Sequence, residues 1–303
     1  MANNQYTWFD GKYIPTEEAK VSILTHSLQY GSGIFEGIRA YDTPKGPAIF
    51  RLQDHIKRFF DTAKIYRINL KFTRAEIEKA TTELLRRNKL ADAYIRPFAF
   101  YNSVGIGFST EGKPISVTIS AVPFGSLFGD KKELRCKISS WHRINSSILP
   151  AGAKASGNYI NSILASKEAK DSGYDEAILF SNSGKTLAEG PGENIFIVKN
   201  GILITPPESA DILIGITRDT VIQIAKAKGI MVIERDIRRE EMYTCDEAFF
   251  SGTAAGITSI ISVDSVDIGD GKKGPITSKI ATEYKMIVSG KDHSHSGWLT
   301  FVK

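Results

Sequence analysis

Lys154 stands in the run Ala151-Gly152-Ala153-Lys154-Ala155-Ser156-Gly157-Asn158-Tyr159, whose small residues let a bulky ligand come close to the amine. A lysine in such a setting can lose part of its hydration, which lowers its pKa from about 10.4 and exposes the neutral, nucleophilic amine. Taken alone, the run is a weak signal and suits a solvated loop lysine better, the commoner setting for this residue. Its company argues for the first reading. Thirty-five residues on, Glu189-Gly190-Pro191-Gly192-Glu193-Asn194 leads into the apolar segment Ile195–Val198. A rigid Gly/Pro loop at a strand entrance can hold Glu189 buried, and a buried carboxylate needs a cationic partner. The protonated ring nitrogen of a bound pyridine cofactor would serve, and the pair would keep that ring an electron sink. Two further stretches suit a phosphate. Gly215-Ile216-Thr217-Arg218-Asp219 opens a helix, where free N–H groups and the dipole favour anions. Ser251-Gly252-Thr253-Ala254-Ala255-Gly256 follows a strand and lets backbone amides and hydroxyls approach a ligand. Neither has the spacing of a nucleotide loop, and Gly31-Ser32-Gly33 with Gly37 fails the dinucleotide pattern, which disfavours ATP and NAD.

The elements that must position these residues are mixed. Asp10-Gly11 predicts a turn between strands at Tyr6–Phe9 and Lys12–Pro15. Ile56, Phe59, Phe60, Ala63 and Tyr66 recur at helical spacing across Asp54–Arg67, and a weaker pattern follows over Thr73–Asn88. Strands are expected at Ala93–Tyr101 and Ile115–Pro123, and the glycines and charges of Pro123–Lys132 mark a linker. Beyond it come a strand at Leu134–Ser140, a helix at Asn158–Ser172, and strands at Glu176–Phe180 and Asn194–Val198, the latter entering a Lys199-Asn200-Gly201 turn. A helix over Thr217–Lys228 is expected to have a Thr N-cap and Gly229 just past its end. Strands at Met231–Arg235 and Glu247–Ser251 and a helix at Thr277–Ser289 complete the pattern. The expected fold class is α+β, with two mixed α/β domains: residues 1–122, a loop over 123–133, and residues 134–303. A cofactor is expected in the cleft between them.

Bulk composition agrees with a globular protein of two domains. The 303 residues are 42% hydrophobic and 24% charged, ordinary for a globular protein and enough for a core without staples. The net charge of +5 is spread among acids, so no basic tail or stripe marks nucleic-acid binding, while a modest positive field suits small anions. Two cysteines, Cys136 and Cys245, make a disulfide framework unexpected and a reducing compartment the natural one. The first residues lack the regions of a signal peptide, and no apolar run is long enough to span a bilayer, so a soluble, cytoplasmic protein is expected.

Read together, six segments resemble the branched-chain amino acid aminotransferases, fold type IV enzymes that use pyridoxal 5'-phosphate. They are Tyr30-Gly-Ser-Gly-Ile-Phe-Glu-Gly-Ile-Arg39, Tyr94-Ile-Arg-Pro97, Ala153-Lys-Ala-Ser-Gly-Asn-Tyr159, Glu189-Gly-Pro-Gly-Glu-Asn194, Gly215-Ile-Thr-Arg218 and Ser251-Gly-Thr-Ala-Ala255. The resemblance runs in order from Phe9 to Trp298. It implies that Lys154 is the Schiff-base lysine and Glu189 the partner of the pyridine nitrogen. Tyr159 would bond the ring hydroxylate, and Arg58, Ile216, Thr217 and Thr253 would hold the phosphate. Tyr94 and the Thr253-Ala254 amides would meet the substrate α-carboxylate, and Arg96 the distal carboxylate of glutamate. Phe35, Gly37 and Phe124 would line an apolar pocket, joined by Tyr30 across a dimer interface. Periodicity alone makes Arg58 a surface arginine and these aromatics core. The departures are Phe124 in place of a tryptophan, Leu127 in place of a tyrosine, Pro191 in place of a smaller residue and Gly256 in place of an acid.

The implied reaction moves an amino group from leucine, isoleucine or valine to 2-oxoglutarate, in a homodimer or larger assembly of dimers without metal, membrane or nucleic acid. D-amino-acid and amine aminotransferases and aminodeoxychorismate lyases are rivals on the same fold; Glu36-Gly37-Ile38-Arg39 and Gly157-Asn158-Tyr159 favour the branched-chain group. A non-catalytic cofactor-binding protein is the rival of another class, disfavoured by the set of Lys154, Glu189 and Tyr159.

Overall fold

Asp10 and Gly11 take φ of 45° and 92°, the left-handed pair that a two-residue hairpin turn requires, and join the first two strands. The computed structural model describes residues 5–292 and 294–302. Its strands are β1 (Tyr6–Phe9), β2 (Lys12–Pro15), β3 (Gly33–Phe35), β4 (Ile38–Tyr41), β5 (Ala48–Phe50), β6 (Ala93–Tyr101) and β7 (Ile115–Pro123). They continue with β8 (Glu133–His142), β9 (Glu176–Phe180), β10 (Leu187–Glu189), β11 (Asn194–Lys199), β12 (Ile202–Thr205) and β13 (Val232–Glu234). β14 (Glu247–Gly252), β15 (Gly256–Val263), β16 (Val266–Asp267) and β17 (Leu299–Phe301) complete them. The helices are α1 (His26–Tyr30), α2 (Leu52–Ile65), α3 (Arg74–Asn88), α4 (Tyr159–Asp171), α5 (Ile216–Ala227), α6 (Arg239–Thr244) and α7 (Pro275–Val288).

The chain divides into two compact units. Among the described residues, the first takes in those up to Gly125, the short segment Ala153–Gly157, and those from Ile287 onward; Ser126–Gly152 and Asn158–Met286 form the second. The lysine loop thus packs with the amino-terminal unit, which a division at 123–133 does not foresee. Its backbone explains why: Phe35 N–H donates to Lys154 O at 3.0 Å, and Ile34 and Ala155 form a bridge. The carboxy-terminal β17 likewise pairs with β5.

In the first unit an eight-stranded antiparallel sheet runs in the order β17-β5-β4-β6-β7-β1-β2, with β3 also on β6. Side chains alternate across it. Ala93, Ile95 and Ala99 of β6 join Ile34, Ile38 and Ala40 in the core against Ile56 and Phe59 of α2 and Ile77 and Leu84 of α3. Tyr94, Arg96 and Phe98, with Phe35, Gly37 and Arg39, therefore belong to the opposite face. The stripe expected on α2 is the one buried, with Phe60 and Tyr66 at its margin. α3 starts at a capping box, Thr73 accepting from Glu76 N–H while the Glu76 carboxylate accepts from Thr73 N–H.

The second unit has a nine-stranded mixed sheet in the order β10-β9-β8-β15-β14-β11-β12-β13, with β16 also on β15, and a β10–β11 pairing closes six of the strands into a ring. Leu134, Ile178, Ile195, Ile197 and Phe250 fill it. α5 begins one residue before Thr217, so the N-cap is Gly215 rather than the expected Thr217, and no side chain caps it; Gly229, with φ of 71°, follows its end as expected. Asn200 and Gly201 make the β11–β12 turn with positive φ. The strands β3, β4, β5, β10 and β17 were too short for periodicity to single out.

Cys136 and Cys245 are free and buried. Burial pushes the Cys136 thiol up and the Cys245 thiol up to about 12. With so little thiolate at pH 8, neither should react with an aromatic disulfide reagent in the native protein, and both should react at once in denaturant. Rapid native labelling, followed by absorbance, would contradict this.

Candidate active site

In the first unit, Lys154 is held by its backbone. Its N–H donates to Thr62 Oγ1 of α2 at 3.2 Å, and its carbonyl accepts from Phe35. Ala153 and Ala155 on either side are buried, so the amine leaves a fixed stem. Lys154 Nζ lies 5.0 Å from the centre of the Phe35 ring, and the Arg96 guanidinium carbon lies 4.5 Å from the same centre. Arg96 Nη2 donates to the Tyr94 hydroxyl at 3.1 Å, its Nε is buried without a hydrogen-bond partner, and it makes no ion pair among the described residues. Tyr94 packs on Phe124 with ring centres 5.2 Å apart. A Cβ on Gly37 would stand 2.0 Å from the Tyr94 oxygen, so only glycine leaves that hydroxyl its place. Arg39 donates to the Phe124 and Gly125 carbonyls and lies against the Phe124 ring, which fixes the start of the linker.

Behind this face, Glu36 is 0% exposed. Its carboxylate accepts from Arg58 Nε at 2.7 Å, Arg58 Nη2 at 2.9 Å and His55 Nδ1 at 2.8 Å. Burial by itself would raise the Glu36 pKa; the Arg58 charge and the hydrogen bonds from His55 and Arg58 outweigh it and hold the carboxyl well below the usual range. Burial lowers the His55 pKa, with Glu36 opposing and the Arg58 and Lys154 charges assisting, so the ring is neutral at pH 7 and carries its proton on Nδ1. Arg58, a surface arginine by periodicity, is 15% exposed at its side chain and paired. Tyr30 packs on Phe108 and His26 and is 37% exposed.

In the second unit, Glu189 ends β10 opposite Asn194 and is 5% exposed. Its carboxylate accepts from Arg143 Nη2 at 2.9 Å, Asn194 Nδ2 at 2.9 Å and Leu213 N–H at 3.2 Å. Asn194 also donates to Leu213 O, tying the carboxylate to the segment that enters α5. Ile216 and Thr217 are buried in the first turn of α5, and Arg218 turns away to Pro206 O and Glu234. Ser251, paired with Asn194 across β14 and β11, keeps a buried hydroxyl without a hydrogen-bond partner. After it, Thr253, Ala254 and Ala255 make the β14–β15 turn, and Gly256 takes φ of 63°, a conformation that favours glycine. Leu127 N–H donates to Ala254 O. Tyr159 is half-buried at the start of α4.

Residues 33–263 match the family model of the class IV amino-transferases. The chain belongs to that family. Relatives of this class IV aminotransferase include the branched-chain-amino-acid aminotransferase of Pseudomonas aeruginosa, 45% identical over 98% of this chain and 97% of that one. The crystal structure of a branched-chain aminotransferase from Thermoproteus uzoniensis with norvaline is 47% identical, with a TM-score of 0.94 over 99% of both chains. That of the Thermobaculum terrenum enzyme in its PLP-form is 40% identical, again with a TM-score of 0.94 over 99% of both. No helix among the described residues is long and apolar enough to cross a membrane, and none of their His, Cys, Asp and Glu side chains group to hold a metal.

The partners Glu36, His55, Arg143 and Asn194 were not singled out from sequence as site residues. Their signal is faint: acid, amide and base at separations that no helical or strand period links. The Asn194 contact is testable. A Cβ on Gly215 would stand 2.0 Å from Asn194 Oδ1, whereas one on Gly192 meets nothing within 4 Å. Gly215→Ala should therefore displace the amide and destabilise the protein by about 2–3 kcal/mol, while Gly192→Ala should stay within about 0.5 kcal/mol. Denaturant unfolding of the two variants checks the contrast.

Proposed function

We propose that this aminotransferase exchanges amino groups between branched-chain L-amino acids (leucine, isoleucine and valine) and 2-oxoglutarate, giving branched 2-oxo acids and L-glutamate. The observation that carries the substrate reading is the Phe35 ring with the Lys154 amine and the Arg96 guanidinium both against it. An apolar surface flanked by an amine and a half-buried cation, with no acidic partner among the described residues, suits a substrate that is alternately aliphatic and dicarboxylic.

The residues fit pyridoxal phosphate: a buried carboxylate kept charged by an arginine, a helix start that no side chain caps, a small-residue turn and an orphaned buried hydroxyl. When bound, the cofactor supplies the electron sink and carries the amino group between half-reactions. Lys154 would hold it, and Nζ of the same lysine, once released, would take the proton from the substrate Cα. Glu189 would pair with the pyridine nitrogen, Tyr159 with the ring hydroxylate, and Arg58, Ile216, Thr217 and Thr253 with the phosphate. Tyr94 and the Thr253 and Ala254 amides would orient the α-carboxylate. Phe35, Gly37 and Phe124 would receive the aliphatic side chain, with Tyr30 supplied by a second copy. A homodimer, or an assembly of dimers, is supported by the exposure of Ile23, Leu28, Val104, Ile106 and Phe108 in one unit and Ile148, Ile160 and Ile163 in the other. The free, buried thiols accord with a cytoplasmic protein.

Purified protein should form glutamate from 2-oxoglutarate with leucine, isoleucine or valine and not with D-amino acids or simple amines; product assays decide, and a reversed preference would refute the reading. Lys154→Ala should stop turnover in a folded protein, as seen by melting curve beside assay; steady turnover in that variant would remove the lysine from the mechanism. Arg96→Met should lower kcat/KM for glutamate and 2-oxoglutarate by roughly 10²-fold and affect leucine much less. Equal losses in single-turnover rates for the two donors would take Arg96 out of the substrate site.

A further inference from the structure

We infer that Glu36 is a positioning residue for the cofactor phosphate: it grips one edge of the Arg58 guanidinium and so aims that cation. The inference rests on the phosphate-holding role proposed for Arg58. Within the first unit the geometry is direct. Glu36 follows β3 on the side of the chain shared with Ile34 and Ile38, which face α2. On α2, His55 and Arg58 are one turn apart and reach the same carboxylate. Nε and Nη2 of Arg58 bind its two oxygens fork to fork, at 2.7 and 2.9 Å, which fixes the guanidinium plane as well as its place. One further turn along α2, Thr62 accepts the Lys154 amide N–H, so the same helix holds both the arginine and the lysine stem. Glu36 N–H donates to Pro97 O and Gly37 N–H to a Glu36 carboxylate oxygen, so the residue is anchored at its backbone and at its carboxylate.

The alternative is a purely structural ion pair, and chemistry separates the two. A carboxylate behind a phosphate-binding arginine repels the dianion through space, so a bystander Glu36 weakens phosphate binding and its loss should tighten it. An aiming Glu36 does the reverse, because an arginine released from its fork loses a fixed orientation.

The test titrates the full-length apoprotein with pyridoxal 5'-phosphate and with pyridoxal, reading binding by intrinsic fluorescence. Glu36→Gln should bind the phosphorylated form at least about tenfold more weakly, the scale of lost charge-assisted hydrogen bonds, and pyridoxal within about twofold of the parent. Added to Arg58→Ala, the same change should cause no further selective loss. Unchanged or tighter binding of pyridoxal 5'-phosphate, or equal weakening of both ligands, overturns the proposal. If Arg58→Ala itself keeps the preference for the phosphorylated form, the proposal falls together with the role given to Arg58. If Arg58→Ala abolishes that preference and Glu36→Gln does not, only the aiming role of Glu36 falls. Should the neutral variant fail to fold, Glu36→Asp carries the same comparison: its shorter reach should give a smaller loss, still confined to the phosphorylated ligand, and no selective loss overturns the proposal.

Discussion

Charge that has left water must be answered by charge and by hydrogen bonds, and both halves of this molecule are arranged around that constraint. Glu36 in one unit and Glu189 in the other are almost wholly buried. An unpaired carboxylate in such a place costs several kcal/mol, and the usual escape is to take up a proton. Here each meets an arginine and neutral donors instead: Arg58 with His55, and Arg143 with Asn194 and the Leu213 amide. Those partners come from helix, strand end and loop alike, so satisfying one carboxylate ties several elements together.

The second organising fact is the alternation of β6. One set of its side chains completes the core against α2 and α3, and the intervening set, Tyr94, Arg96 and Phe98, faces away from those helices. The neighbouring strands obey the same rule, so Phe35, Gly37 and Arg39 fall on the face of Tyr94 and Arg96 while Ile34, Glu36 and Ile38 point to the helices. A slip of one residue in the β4–β6 register would exchange the two sets. Stability of the core and composition of the site are thus specified by the same hydrogen-bonded ladder.

Much of this was legible before any coordinates. The Asp10-Gly11 and Asn200-Gly201 turns and the apolar stripe of α2 are local signals, and local signals survive folding. The family was legible in six segments kept in order, and the role proposed for Arg58 came only from that resemblance. Its partner was not legible. Glu36 and Arg58 lie 22 residues apart on a strand end and a helix, and periodicity reports which face a residue occupies, never whom it meets across the gap. The contacts of Arg143 and Asn194 with Glu189 were not legible for the same reason. The N-cap of α5 was misplaced because a glycine with no side chain to offer does the work expected of a threonine. The pairing of β17 with β5 depends on residues almost 250 positions apart, beyond the reach of any window.

That last pairing bears on how the protein is made. Domains commonly fold as they emerge from the ribosome, the amino-terminal one first. Here that order is blocked. Ala155 must have been synthesised before Ile34 finds its bridge, and Leu299–Phe301 before β5 is covered. Until then β5 is an exposed, wholly apolar edge, open to pairing with another nascent chain. The loop closures are long and entropically expensive, so the slow phase of folding should be completion of the first unit, awaiting strands from the far end of the polypeptide.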